Sequence, residues 1–118
     1  MAIEQELLAL EEQFWTEGSD FYRKNLDAEC LCVFMDLAGV VSQEQVAASV
    51  ADGERWSGLV IEAKGFRQLG RDVALLTYQA SAKRPDGSPY QAVVSSGYVR
   101  RDGAWKLAFH QQTPLADG

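Results

Sequence analysis

The chain has 118 residues, and its 11 Lys and Arg stand against 17 Asp and Glu, a net charge of -6. That length predicts one domain, residues 1–118, burying roughly two-thirds of its unfolded surface around one core. An acidic chain whose basic residues fall in short pairs (Arg23-Lys24, Lys83-Arg84, Arg100-Arg101) lacks the clustered cations that phosphate contacts need, so nucleic acid is excluded as a partner.

No apolar run reaches the ~20 residues of a membrane span. The start Met1-Ala2-Ile3-Glu4 has neither the basic opening nor the apolar centre of a signal peptide, which predicts a cytoplasmic protein. Cys30 and Cys32 share one face of a predicted strand, where a bridge would be badly strained. They read as two reduced, half-buried thiols. With His110 they fall short of the usual four zinc ligands, so neither metal nor cofactor is expected.

In chain order, residues 3–17 have helical periodicity. Leu7, Leu10, Phe14, Gly18 and Phe21 recur at spacings of three and four, widened by Leu8 and Trp15. Glu4, Glu6, Glu11, Glu12 and Glu17 are assigned to the polar side. Gly18 stops this helix, and Ser19 is expected to cap a short second one running to about Asn25. Leu31 to Met35 fits a buried strand, Asp36 to Gly39 a turn, and Val40-Val41 a brief return. Ser42-Gln43-Glu44-Gln45 has the capping-box pattern. It opens a helix of about ten residues that ends at Gly53 and turns Val46, Ala47 and Val50 inward.

From Trp56 the period changes to two. Leu59 to Leu69 is a long strand with a bulge or bend at Gly65, and Gly70-Arg71-Asp72 turns the chain. Val73 to Lys83 alternates strictly, and Pro85 to Pro89 is a turn by chemistry. Residues 90–114 then form one hairpin about Asp102-Gly103. Helices first and strands last predict an α+β fold, three N-terminal helices on a strongly curved antiparallel sheet of four long strands plus one or two short ones.

The element order and several segments resemble the nuclear transport factor two-like superfamily, a cystatin-like cone. Within it the chain is similar to SnoaL-like and ketosteroid isomerase-like proteins and to the calcium/calmodulin-dependent kinase association domain. The matching pieces are Phe14-Trp15 on the first helix, Gly39 to Glu44, Tyr90-Gln91-Ala92, and the ending Trp105-x-Leu107-x-x-His110-Gln111. The resemblance implies a conical pocket between helices and sheet, and homodimers through the sheet's outer face. It leaves activity open, because this scaffold hosts enzymes, binders and assembly modules alike.

His110 and Asp36 are the candidate catalytic residues. His110 alternates with Phe109, and Trp105, Leu107, Phe109 and Gln111 make the more apolar set. That set is expected to face the core, with Val93, Ser95, Gly97 and Val99 alongside it, which puts His110 on the outer face. A two-residue turn pairs Ser95 with His110, and a three-residue turn bulged at Gly103 pairs Val94 with it; the bulged form is preferred. The competing reading sends His110 into the pocket as a tunable acid or base.

Phe34-Met35-Asp36 loosely resembles the segment around the catalytic aspartate of ketosteroid isomerases, against the plainer reading of a turn aspartate. The pattern departs from those enzymes because the first helix has Trp15 and no tyrosine. Trp15, Tyr22, Phe34, Trp56, Tyr78 and Tyr98 supply aromatic surface for a pocket that would take a small hydrophobic or aromatic molecule. Ser95-Ser96 has no base partner visible in the sequence, and Gly-rich phosphate loops and hydrolase elbows are absent. Three functions follow: a small-molecule-binding protein, an isomerase, cyclase or dehydratase using Asp36 or His110, or a dimeric assembly module.

Overall fold

The periodicity of three and four in the first 25 residues makes two helices, α1 (Ile3–Thr16) and α2 (Ser19–Asn25). Gly18, not Ser19, is the residue before α2; Ser19 is already helical and buried. The computed structural model describes residues 2–34, 39–50 and 55–115, with the backbone alone at 39 and 40. Asp36 and Gly53 lie outside the described residues.

The strands β1 (Leu26–Phe34) and β2 (Gly39–Val41) precede α3 (Gln43–Ser49). The Ser42 N–H donates to Gln45 Oε1 at 2.9 Å, closing one half of the predicted capping box. The described helix is shorter than expected, seven residues. Then come β3 (Ser57–Gln68), β4 (Val73–Lys83), β5 (Pro89–Arg101) and β6 (Ala104–Pro114), the four long strands. No helix among the described residues is long and apolar enough to cross a membrane.

All six strands form one sheet in the order β2-β1-β6-β5-β4-β3. Neighbours pair antiparallel except β1 and β6, which run parallel. Parallel pairing is available because the whole chain between them supplies the crossover. The β3–β4 register shifts between Ala63 and Gly65, the predicted bulge, and such shifts bend the sheet around the helices.

Strict alternation in β4 buries Ala74, Leu76, Tyr78, Ala80 and Ala82 on the helix side. They pack with Leu7, Phe14 and Trp15 of α1 and with Val94, Tyr98, Trp105 and Leu107 of the terminal hairpin. A fully buried side chain such as Leu7 contributes roughly 1.5–3 kcal/mol. Cys30 and Cys32 are free thiols, and both are buried rather than half-buried.

The hairpin register differs from both predicted forms. Arg101 pairs with Ala104, so the turn holds two residues, Asp102 and Gly103, both at positive φ (51° and 82°). That is the primed turn that matches strand twist. The pairing then slips by one: Tyr98 faces Leu107 but Gly97 faces Phe109, leaving Ala108 as an extra residue. This bulge reverses the alternation. Trp105 and Leu107 point inward before it, and His110 points inward after it, opposite Ser96. Phe109, assigned to the core by simple alternation, is 41% exposed on the outer face.

The inner row of β5 is correspondingly Ala92, Val94, Ser96 and Tyr98, not Val93, Ser95, Gly97 and Val99. On the outer face Leu31, Phe109, Gly97 and Leu75 align across four strands. Gly97 is where these side chains close over the backbone: a Cβ there would lie 3.3 Å from Leu75 Cδ2 and 3.5 Å from Phe109 Cβ.

Candidate functional site

A cavity of about 260 Å³ opens between the helices and the β1–β6 half of the sheet. It is lined by Phe14, Trp15, Tyr22, Leu26, Cys32, Phe34, Val46, Ser49, Val50, Arg55, Trp56, Leu107, His110 and Gln112. Four of the six predicted aromatics, Trp15, Tyr22, Phe34 and Trp56, therefore line it. Tyr78 and Tyr98 lie behind the wall, fully buried, where they hold a carboxylate.

That carboxylate is Glu11, which has no exposed surface. Its assignment to the polar side of the first helix is overturned. Glu11 stands four residues after Leu7 and three before Phe14, in the middle of the apolar stripe, and so is driven against the sheet. Burying a bare carboxylate is prohibitive, and the fold surrounds this one with donors. Oε1 accepts from Tyr78 OH at 2.7 Å and from Ser96 Oγ at 2.8 Å, and Oε2 accepts from Tyr98 OH. Trp15 Nε1 donates in turn to Tyr78 OH at 2.9 Å. Burial, reinforced by the Glu11 charge, pushes the Tyr78 and Tyr98 phenols well above the usual tyrosine range, so both remain donors.

His110 joins this network from β6. Its Nδ1 lies 2.9 Å from Ser96 Oγ and 3.9 Å from Glu11 Oε1. Ser96 spends its one hydroxyl proton on Glu11, so His110 Nδ1–H must donate to Ser96. The other nitrogen, Nε2, is then set 3.1 Å from Gln112 Oε1, and Gln112 Nε2 donates to Tyr90 OH at 2.9 Å. As oriented, this pattern needs a proton on Nε2 as well, an imidazolium. Turning the Gln112 amide over suits the neutral ring instead, with Nε2 accepting. One proton and one turn of the Gln112 amide thus separate two fully bonded arrangements. Phe34 packs beside the imidazole, with ring centroids 5.4 Å apart. Ser96, without a visible partner in the sequence, is the link between Glu11 and His110.

Opposite the sheet, Arg55 closes the end of α1. Its Nε donates to the Glu17 carbonyl at 3.1 Å, and its Nη2 to the Phe14 carbonyl at 2.9 Å and to Tyr22 OH at 3.0 Å. These are carbonyls that a helix C-terminus leaves unsatisfied, and α1 has no basic residue of its own in its last turn. Tyr22 OH donates to the Phe14 carbonyl as well, and burial pushes its phenol up to about 12. Trp56 stacks edgewise on Trp15, centroids 5.3 Å apart, and tilts against Tyr90 at 4.7 Å.

Cys32 shares the inner face beside His110, its cross-strand partner. Hydrogen bonding between the two thiols, with burial, holds Cys32 protonated well above the ordinary thiol range and draws Cys30 down. No cluster of three or more metal-ligating side chains occurs among the described residues. Neither Glu11 nor Ser96 nor Arg55 figured among the residues predicted for the site. Only Glu11 had a signal in the sequence, a charge at the centre of an apolar stripe.

No family model matches the chain, and no curated protein matches it by sequence. Solved structures do. A protein of unknown function from Prochlorococcus marinus with the nuclear transport factor two-like (NTF2-like) fold matches with a TM-score of 0.76 at 21% identity, over 99% of this chain and 97% of that one. The association domain of C. elegans calcium/calmodulin-dependent kinase II matches with 0.72 at 15%, over 94% and 92%. A Parabacteroides distasonis protein provisionally named a ketosteroid isomerase matches with 0.71 at 16%, over 97% and 89%.

Proposed function

We propose that this chain, which has the NTF2-like fold, binds a small and mainly apolar molecule in the cavity beneath its helices. One observation carries the reading: a concave site walled by Phe14, Trp15, Tyr22, Phe34 and Trp56 that also presents a few fixed polar groups, Arg55, His110 and Gln112. Apolar walls with sparse, oriented polar tips are the usual form of a small-molecule site. The volume, below the ~300–1,000 Å³ of drug-sized pockets, favours a ligand of about one ring. The protein acts as a homodimer through the outer face of the sheet, where Leu31, Leu75, Val93 and Phe109 are left exposed. Association-domain neighbours support assembly on this fold.

A second reading, an isomerase, cyclase or dehydratase, is favoured by the string Glu11–Ser96–His110. It holds an imidazole by Nδ1, while Nε2 meets only the Gln112 amide, which a substrate could displace to engage the ring as a general acid or base. Asp36, the other residue named for that chemistry, lies outside the described residues.

Native mass spectrometry of the purified protein tests the first reading. The expected result is a dimer carrying a small mass excess that disappears on denaturation. A monomer at high concentration sinks the dimer, and a fragment library that gives no saturable binding sinks the pocket. Saturable binding together with turnover that is lost in His110→Gln would move the reading to the enzyme.

A further inference from the structure

The lining of the cavity is electrostatically one-sided. Its ionisable side chains are Arg55, His110, Tyr22 and Cys32, with no Asp or Glu among the described residues. Among the described residues the carboxylate beside His110, Glu11, is sealed behind the wall and committed to Tyr78, Tyr98 and Ser96. Glu11 Oε1 lies 3.9 Å from His110 Nδ1 and takes no part in the lining.

Among the described residues no carboxylate balances Arg55. Its neighbours are the carbonyl end of α1, equivalent to about half a negative charge, against a full positive one. Nε and Nη2 are held by the helix end and Tyr22, which fixes the guanidinium plane. Nη1 carries no hydrogen bond among the described residues. A guanidinium so fixed loses little side-chain freedom on accepting an anion.

Resting on the binding reading above, we infer that the ligand is a small monocarboxylate with an aromatic or branched apolar body, its carboxylate on Arg55 and its body between Trp15, Trp56 and Phe34. A cation would gain from the aromatic walls but meet Arg55, with no carboxylate among the described lining residues to offset it. A phosphate ester would demand more donors than one guanidinium, in a lining that has no lysine.

Three probes of nearly equal shape separate the possibilities: phenylacetate, phenylacetamide and benzylamine, titrated calorimetrically into the intact protein. Phenylacetate is expected to bind about tenfold or more tighter than phenylacetamide, the usual gain of a charge-assisted over a neutral hydrogen bond. Benzylamine is expected to be the weakest. In Arg55→Gln the ratio of phenylacetate to phenylacetamide affinity should fall to about twofold, and Arg55→Lys, which keeps the charge without the fixed plane, should recover only part of it. Should Arg55→Gln fail to fold, the comparison of the three probes on the unaltered protein decides alone. Equal binding of acid and amide, or preference for benzylamine, overturns the anion assignment and leaves the pocket reading standing. Binding of none of the three up to tens of millimolar removes both.

Discussion

Replacing Glu11 by alanine leaves Tyr78, Tyr98 and Ser96 with buried hydroxyls and no acceptor. Three hydrogen bonds to a charged group are worth about 1.5–3 kcal/mol each, or roughly 4.5–9 kcal/mol in all. Removing the carboxylate returns several kcal/mol of desolvation. The net loss is then about 3–5 kcal/mol, the range seen when one member of a buried polar pair is deleted. Against a total stability of ~5–15 kcal/mol this is severe. At roughly 4 °C per kcal/mol it lowers Tm by roughly 12–20 °C. Glu11→Gln keeps the volume but turns an amide N–H₂ toward a hydroxyl, so its cost falls between alanine and none. Urea unfolding and calorimetry measure the change, with Glu12→Ala as the control. Glu12 is exposed on the same helix, and its loss should matter by less than about 0.5 kcal/mol. If Glu11→Ala proves no more costly than Glu12→Ala, the buried network does not exist as described.

Asp27 gives the acid limb. Arg101 holds it through Nε at 2.9 Å and Nη2 at 3.3 Å, which lowers its carboxyl below the usual range. A depressed carboxyl stabilises the fold above its unfolded pKa, about 3.9, and loses that contribution as pH falls through the lower folded value. Arg101→Gln should flatten the slope of stability below pH 4; an unchanged slope removes Asp27 as its source. On the alkaline side Tyr22, Tyr78 and Tyr98 are all raised, so their contribution is whole below pH 10 and declines as pH climbs toward 12. Absorbance at 295 nm should show these three ionising only with unfolding. Both thiols, 3% and 1% exposed, should resist Ellman's reagent until denaturant is added, and rapid native labelling contradicts their burial. Leu75→Arg, on the outer row, should convert the proposed dimer to monomer in sedimentation, whereas a dimer that persists moves the interface elsewhere.

The elements readable from the chain are those in which one rule holds from end to end. Val73–Lys83 alternates without interruption, and its predicted and observed limits coincide. Gly65 marked a real bulge because glycine within a strand has few other uses. The bulge at Ala108 had no such flag, since alanine fits a regular strand as well as an irregular one. Its effect is nonetheless large: a slip of one residue exchanges faces, so Phe109 and His110 trade places relative to the simple pattern. The β1–β6 parallel pairing is a long-range choice that no local pattern encodes. The same holds for Arg55, whose partners Phe14 and Glu17 are about forty residues away.

The two departures from pattern have one physical meaning. Glu11 places a charge inside an apolar stripe, and the bulge turns a histidine toward it, where regular alternation would have supplied Phe109. Either alone would be costly. A buried Glu11 without donors would leave its carboxyl oxygens unsatisfied, and an inward His110 without Ser96 would leave Nδ1 unsatisfied. Together with Tyr78 and Tyr98 they satisfy one another, so the fold tolerates polar groups where an all-apolar core would be simpler and often at least as stable. Such a network also sets the shape of what it borders. It fixes the cavity lining at His110 and Gln112, while Arg55 fixes another part of that lining from the end of α1. Local rules broken together, with each breach compensated by the other, are what a site built for binding rather than for stability predicts. In this chain the paired breaches end at His110, on the wall of the cavity where we propose that the ligand binds.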